Sequence, residues 1–346
     1  MNRIYVQLFG MVALSTAIVA ETHVSATDAP YHFVKEIAIG GEGGWDYLSV
    51  DTVARRLYVS HGGQVVVMDV DQQTVVGQIA DTPGVHGFAL APDLQRGFSS
   101  NGKESKASVV DLKTLKTLAK VPTGENPDAI LYEPGRHEVY TFNGRGQSAT
   151  VFGAASNNVI ATISLPGKPE FAAADPVAGR VYCNIEDKNE VVVVDTATHQ
   201  VVDTWPTAPG DEPAGLAIDL IHHRLFVGCH NKLMVMLDST NGKVVGTAPI
   251  GEGVDANAFD PGTGFVFSSC GDGTVTVVRE QAPTKLAVVQ TLTTERSART
   301  MALDPTTHRI YLASARFEAQ PAPVAGAPRQ RPKMIPGSMK ILIYGM

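Results

Sequence analysis

The sequence predicts an all-β fold in which one four-stranded antiparallel unit is repeated seven times. One mostly polar column recurs every 40 to 44 residues: Asp46, His86, Asp128, Glu170, Ala214, Asp255 and Arg299. A second column is aromatic throughout: Tyr58, Phe98, Tyr140, Tyr182, Phe226, Phe267 and Tyr311. Alternating apolar segments such as QVVVMDV and NEVVVVDT follow the aromatic residues. Short strands with this period are typical of a seven-bladed β-propeller.

Each repeat divides into four strands in a fixed order. The first strand opens at the polar column, the second holds the aromatic residue, and the third and fourth are alternating apolar segments. The seventh repeat has only three strands, whereas an extra strand, YHFVKEIAIG, precedes the first repeat. We predict that residues 33–39 pair with residues 341–344 and complete the seventh blade, because this closes an otherwise open sheet edge. The propeller would then be a single domain over residues 31–346.

Residues 1–26 have the features of a secretory signal peptide. Arg3 precedes an apolar segment at residues 8–19, which is too short for a comfortable membrane span. Small residues at Ala20 and Ala26 offer two cleavage sites. We therefore expect a periplasmic or secreted protein that has no membrane span after signal removal.

The charge of the chain argues against a nucleic-acid partner. The formal net charge is −7, and Lys and Arg do not collect on any one segment, so no cationic groove for a phosphate backbone is expected. The odd number of cysteines leaves at least one thiol unpaired within the chain. Their positions on second strands favour buried small hydrophobic residues over soft metal ligands: Cys183, Cys229 and Cys270.

The polar column predicts a ring of side chains at one mouth of the central tunnel, because the first strand of a blade lines that tunnel. Charges buried to no purpose are costly, so four carboxylates, one histidine and one arginine in a ring indicate a binding site. The alternative is that these groups bond the backbone of neighbouring blades. Arg299 either neutralises the carboxylates or receives an anionic group of a ligand.

The ends of the second strands return to the same face and add further polar residues. The predicted ligand-binding set is Asp46, His61, His86, Asn101, Asp128, Asn143, Glu170, His230, Asp255 and Arg299. Three of these are candidate ligands of one divalent transition metal: His61, His86 and His230. The carboxylates, with backbone carbonyls, could instead hold Ca²⁺ or Mg²⁺. The hairpins on the opposite face hold His137, His222, His223 and His308, and the His222–His223 pair is predicted to lie in a solvated turn.

Several blocks of the sequence resemble the YVTN-repeat, YncE-like seven-bladed propellers of bacterial periplasms. These blocks are YVSHGG, VVVMDVDQQTVVGQI, VVVVDTATHQVVDTW and RIYLAS. The resemblance covers residues 31–346 and implies the fold. It leaves the function open, because such propellers include binding proteins, lyases, lactonases and oxidoreductase subunits.

Three functional hypotheses follow. In the first, a monomeric propeller binds a small polar or metal-bearing ligand at the mouth. In the second, it is a metal-assisted lyase or lactonase-like hydrolase in which His86, Glu170 and Asp128 act at the same mouth. In the third, it is a scaffold for another periplasmic protein.

A proline-rich insertion at about residues 316–337 interrupts the seventh repeat. Five prolines keep it from pairing as a strand: Pro321, Pro323, Pro328, Pro332 and Pro336. Its positively charged residues would lie above the acidic mouth: Arg316, Arg329, Arg331 and Lys333. The insertion is expected to be a lid or docking arm for the mouth, with a disordered linker as the alternative.

Overall fold

The computed structural model describes residues 30–319 and 332–346. Seven four-stranded antiparallel sheets are arranged as the blades of a propeller, which confirms the predicted fold. The strands of blades one to three are β2 (Trp45–Asp51), β3 (Arg56–His61), β4 (Gln64–Asp69), β5 (Thr74–Ile79), β6 (Val85–Ala91), β7 (Arg96–Asn101), β8 (Lys106–Asp111), β9 (Thr117–Pro122), β10 (Pro127–Glu133), β11 (Glu138–Asn143), β12 (Ser148–Gly153) and β13 (Val159–Ser164).

The other four blades follow the same order. Their strands are β14 (Pro169–Asp175), β15 (Arg180–Ile185), β16 (Glu190–Asp195), β17 (Gln200–Pro206), β18 (Pro213–Asp219), β19 (Arg224–Cys229), β20 (Leu233–Asp238), β21 (Val244–Pro249), β22 (Val254–Asp260), β23 (Phe265–Cys270), β24 (Thr274–Ala282), β25 (Lys285–Thr293), β26 (Met301–Asp304), β27 (Arg309–Ser314), β28 (Lys340–Gly345) and β1 (His32–Ala38). Two short 3₁₀ turns complete the described elements, at Pro92–Leu94 and Glu186–Lys188. No helix in the described ranges is long and apolar enough to cross a membrane.

The ring is closed by the N-terminal strand, as predicted. The seventh sheet has the order β1-β28-β27-β26, and β1 pairs antiparallel with β28. Phe33 lies opposite Tyr344, and Ile37 lies opposite Ile341. The last blade therefore joins two segments from opposite ends of the chain, and β1 covers the outer edge of β28 that would otherwise be unpaired.

Apolar side chains fill the spaces between neighbouring blades. The aromatic column is fully buried there, with each side chain at most 1% exposed. Tyr58 of blade one, for example, stacks on Phe88 of blade two with ring centroids 4.8 Å apart. The three thiols are also buried, as expected for small hydrophobic residues: Cys183, Cys229 and Cys270. Blade-to-blade packing therefore forms the core, and it leaves the strand ends free to carry function.

A second acidic column has a structural role in the hairpins that face away from the mouth. Asp51 accepts hydrogen bonds from the backbone N–H groups of Val53 and Ala54 at 3.0 and 2.8 Å. The same capping recurs at Glu133, Asp175, Asp219, Asp260 and Asp304. A carboxylate that satisfies turn N–H groups explains the repetition of this column without any ligand.

Candidate functional site

The mouth residues lie at backbone irregularities that turn them away from the strand ladder. In β2, Trp45 pairs with His61 and Leu48 pairs with Val59, so a bulge lies between these two pairs and contains Asp46. The first strands of blades two, three, four and six have the same bulge at His86, Asp128, Glu170 and Asp255. Bulges commonly re-aim a side chain beside a functional site. Here they bring the second residue of five first strands to the tunnel mouth.

One histidine and two carboxylates converge at the mouth. The Nδ1 atom of His86 lies 2.7 Å from an oxygen of Asp46 and 3.6 Å from an oxygen of Asp128. One potential metal-ligand atom from each of the three residues lies within 4.8 Å of those of the other two. Among the described residues, this is the one group of three or more His, Cys, Asp or Glu side chains that could share a metal ion. All three side chains are partly buried. The group can hold a shared proton or a cation.

Electrostatics at this group favour protonation. Burial raises the pKa of Asp128, and the like charge of Asp46 raises it further. Burial lowers the pKa of His86, but the hydrogen bond to Asp46 and the charge of Asp128 outweigh that effect and hold this pKa above its usual range. His86 and Asp128 therefore hold protons to higher pH than the same side chains would in isolation.

Cations balance the other carboxylates of the ring. The Nζ atom of Lys168 lies 3.0 Å from a carboxylate oxygen of Glu170 and also contacts Glu186. Arg299 lies 3.3 Å from Asp255. Burial raises the pKa of Glu170 although Lys168 opposes the effect. Arg299 thus neutralises a neighbouring carboxylate, one of the two roles predicted for it.

Tyr47 is a central residue that the sequence reasoning missed. Its hydroxyl donates a hydrogen bond of 3.1 Å to the backbone carbonyl of Glu170, across the tunnel, and its ring lies 5.1 Å from that of Phe171. Burial raises the pKa of its phenol far above the usual range, and Asp128 adds to the effect. The available signal was the position after the polar column, which holds glycine or alanine in four repeats but an aromatic residue at Tyr47 and Phe171.

A cavity of about 810 Å³ opens over blades one to three at the mouth. Its walls include Trp45, Asp46, His86, Asn126 and Arg145. Below it, apolar and aromatic side chains surround a smaller tunnel cavity of about 230 Å³. Volumes of several hundred Å³ accommodate small molecules, so Asp46 and His86 line a cavity large enough to hold one.

The other predicted site residues are placed differently from the ring. His61 is buried, and its two ring nitrogens lie 3.2 and 3.1 Å from the carbonyl oxygens of Gly44 and Gly40. His230 contacts Glu212 and the carbonyl oxygen of Val254. Within the described ranges, the three histidines predicted as metal ligands are therefore not brought together. Contacts with backbone carbonyl oxygens hold His61 and His230 away from His86.

Asn101 and Asn143 have no exposed surface. Asn101 donates to Glu104 and Ser108, and Asn143 donates to Ser148 and other groups of its own blade. Both amides are thus used in ordering the strand ends beneath the mouth. They support the site but have no exposed atom to offer a ligand.

Most of the proline-rich insertion, residues 320–331, lies outside the described residues, and the expected lid or docking arm lies largely there. Its described base is a bridge between Phe317 and Met334. The ring of Phe317 packs 6.0 Å from that of Trp45, which lines the mouth cavity. The insertion therefore begins beside the mouth, on the predicted side of the propeller.

Fold and site together define a seven-bladed β-propeller with a convergent polar group at one end of its tunnel. No protein-family model matches the chain. Over 148 residues it is 26% identical to the uncharacterized protein YncE of Salmonella typhi and 25% identical to the uncharacterized protein YncE of Salmonella typhimurium strain LT2. Each match covers 41% of this chain and only 42% of the relative. This similarity and the seven blades fit a YncE-like propeller.

Two solved structures share the architecture. A chain of Kuenenia stuttgartiensis hydrazine synthase superposes with a TM-score of 0.69 at 14% identity, covering 86% of this chain and 96% of the other. A chain of a mitotic checkpoint complex superposes with a TM-score of 0.71 at 14% identity, covering 89% and 95%. At such low identity the likeness shows the fold alone, since one fold supports many functions.

Proposed function

We propose that the propeller binds a small polar ligand at its mouth through one divalent metal ion held by Asp46, His86 and Asp128. The observation that carries this proposal is the convergence of their ligand atoms within 4.8 Å on the mouth side. Ligand atoms on one ion at about 2 Å lie no more than about 4 Å apart, and the two distances from His86 fall in that range. One imidazole and two carboxylates suit Zn²⁺ or Mn²⁺.

The arrangement around this group supports a ligand as well as an ion. Asp46 and His86 line the cavity of about 810 Å³, so an ion held by them would have an open side toward that space. Three protein ligands and one open position are typical of zinc sites that bind other molecules.

Zinc titration of the chelator-treated protein by isothermal calorimetry tests the proposal. We expect one Zn²⁺ per chain, and a loss of affinity of about 100-fold or more in both Asp46→Asn and His86→Ala. The control is His230→Ala, which removes another mouth-side histidine and should leave the affinity unchanged. Affinity should also rise with pH, because protons compete for the same ligand atoms. Absence of binding, or an equal loss in the control, would overturn the assignment.

A metal-assisted lyase or lactonase-like hydrolase is the second candidate. The observation that favours it is Glu170, a carboxyl of the same ring that is not among the proposed metal ligands and whose pKa is raised by burial, as suits a group that takes up a proton. Its test is hydrolysis of a simple δ-lactone by the zinc-loaded protein, with His86→Ala as the inactive control.

The periplasmic or secreted location and a protein partner on the propeller face remain predictions.

A further inference from the structure

A second cavity lies on the face opposite the mouth, between blades five and six. Its volume is about 760 Å³, and its walls are the hairpin joining β18 to β19, the hairpin joining β22 to β23, and the end of β24 with Pro283 of the turn that follows it. His222 and His223, which the sequence placed in a solvated turn, line this cavity. It shares none of its lining residues with the mouth cavity.

An extension of blade six builds the outer wall of this cleft. Strand β24 is nine residues long, whereas the third strands of the first five blades are each six residues long. The tip of the extended hairpin reaches blade five, where the carbonyl oxygen of Pro283 lies 3.4 Å from a guanidinium nitrogen of Arg224. Thr284 approaches Gly246 so closely that a Cβ there would lie 3.3 Å from its carbonyl oxygen. The extension therefore bridges two blades.

Aromatic rings form one wall of the cleft. Phe226 and Phe259 stack with centroids 5.7 Å apart and an interplanar angle of 24°. Phe226 is buried, whereas Phe259 is only partly buried. Pro261 and Ala282 add further apolar surface to the lining. A flat ring placed against Phe259 would extend the existing stack and remove apolar surface from water.

Arg224 supplies the positive charge of the cleft and has hydrogen-bonding capacity to spare. Its contacts with the backbone oxygens of His223 and Pro283 measure 3.3 and 3.4 Å, and the carboxylates of Glu280 and Asp238 lie 3.5 and 3.9 Å away. Its Nε atom is buried and makes no hydrogen bond. The Glu280 carboxylate lies 3.5 Å from this buried atom, so an anionic ligand would bind the part of the guanidinium that remains exposed, where charge-assisted hydrogen bonds are strong.

Three of the four arginines at the same repeat position in other blades make shorter contacts, whereas the fourth, Arg309 of blade seven, does not. Arg56 donates to the carbonyl oxygen of Leu112 at 2.8 Å, and Arg96 donates to that of Ala154 at 2.6 Å. Arg180 forms a close ion pair with Asp195. Unlike these three arginines, Arg224 of blade five has no polar contact shorter than 3.3 Å among the described residues. Blade five differs from them in having the extended hairpin of blade six beside it.

We propose that this cleft binds a flat aromatic molecule that carries one carboxylate, with its ring against Phe259 and its carboxylate on Arg224. The volume of about 760 Å³ accommodates a ligand of two fused rings, and the lining combines the aromatic wall with charged side chains, among them Asp219, Arg224 and Glu280. Arg279 adds positive charge at the rim. The proposal is independent of the mouth and of its metal.

Calorimetric titration with 2-naphthoate tests the proposal on the full chain. Ala282→Trp fills the cleft from an exposed position and should abolish binding. The matched control is Ala197→Trp, which places the same side chain on the corresponding hairpin of blade four and should bind as the wild type does. The neutral probe 2-naphthamide should bind roughly tenfold more weakly, because it cannot make the charge-assisted bond to Arg224.

A second pair of variants tests the cation. Arg224→Gln should lose naphthoate affinity by about tenfold, whereas Arg180→Gln, which removes the corresponding arginine of blade four, should not. His86→Ala should bind naphthoate normally, which separates this cleft from the mouth. No binding at millimolar naphthoate, binding that survives Ala282→Trp, or equal affinity for acid and amide would each overturn the proposal.

Discussion

Removing the guanidinium of Arg299 should make the stability of the propeller more sensitive to pH. Burial raises the pKa of Asp255 to about 6 even though Arg299, 3.3 Å away, lowers it. A cation at this distance typically lowers a carboxyl pKa by about 1–3 pH units. The arginine is half exposed and therefore screened by water, so the lower half of that range applies. In Arg299→Ala the pKa of Asp255 should rise to roughly 7–8.

The sign of the stability change follows from proton linkage. A carboxyl whose pKa is raised on folding binds its proton more tightly in the folded state, so its stabilising effect is present at low pH and is lost as pH rises through the folded pKa. In the wild type that loss is complete slightly above pH 6. In the variant the loss continues to about pH 8, and this further one to two pKa units adds about 1.4–2.7 kcal/mol of destabilisation.

Urea denaturation at pH 5 and at pH 8.5 measures this difference. The Asp255→Asn/Arg299→Ala double variant is the control, because without a titrating carboxyl the cost of losing the arginine should be similar at both pH values. We expect the single variant to lose about 1.4–2.7 kcal/mol more at pH 8.5 than at pH 5. A cost independent of pH would refute the reasoning, since it would assign Arg299 a packing role instead of an electrostatic one.

Three further predictions concern the closure of the ring, the mouth and the buried thiols. Deleting residues 339–346 should abolish cooperative thermal unfolding, because it exposes apolar burial worth roughly 6–12 kcal/mol, comparable to the whole stability of a domain: Ile341, Leu342, Ile343 and Tyr344. His86→Ala should lose the metal yet shift the melting temperature by only a few degrees, since this side chain is not packed core; failure to fold would make it a structural residue. An aromatic disulfide reagent should label none of the three buried thiols before unfolding and all of them afterwards, as followed by absorbance.

The fold was predictable because its causes are local and periodic. Alternating apolar residues specify strands, and the buried aromatic column specifies where neighbouring sheets pack. The pairing of Phe33 with Tyr344 was also predictable, because each segment lacked any other partner. The repetition supports each inference with seven instances of the same pattern, whereas a single hairpin would give one.

The site was predictable only in outline. The sequence placed Asp46, His86 and Asp128 at one mouth, and the structure brings them together. It also selected His61 and His230, whose rings contact backbone carbonyls instead. The repeat alignment gives the end of the strand on which a side chain lies, but it does not give the rotamer or the partner. Hydrogen-bonding geometry at each strand end decides which polar residues remain available.

The sequence by itself determined the number of blades, the closure of the ring and the face that carries the acidic residues, because these follow from short-range hydrophobic periodicity. Only the tertiary structure decided that His86 lies between Asp46 and Asp128, that Tyr47 spans the tunnel to Glu170, and that an extended hairpin encloses a cleft beside Arg224. These contacts join residues of different blades, about 40 or more positions apart in the chain. Their distances depend on strand bulges and on the packing of whole sheets, which local sequence patterns do not encode.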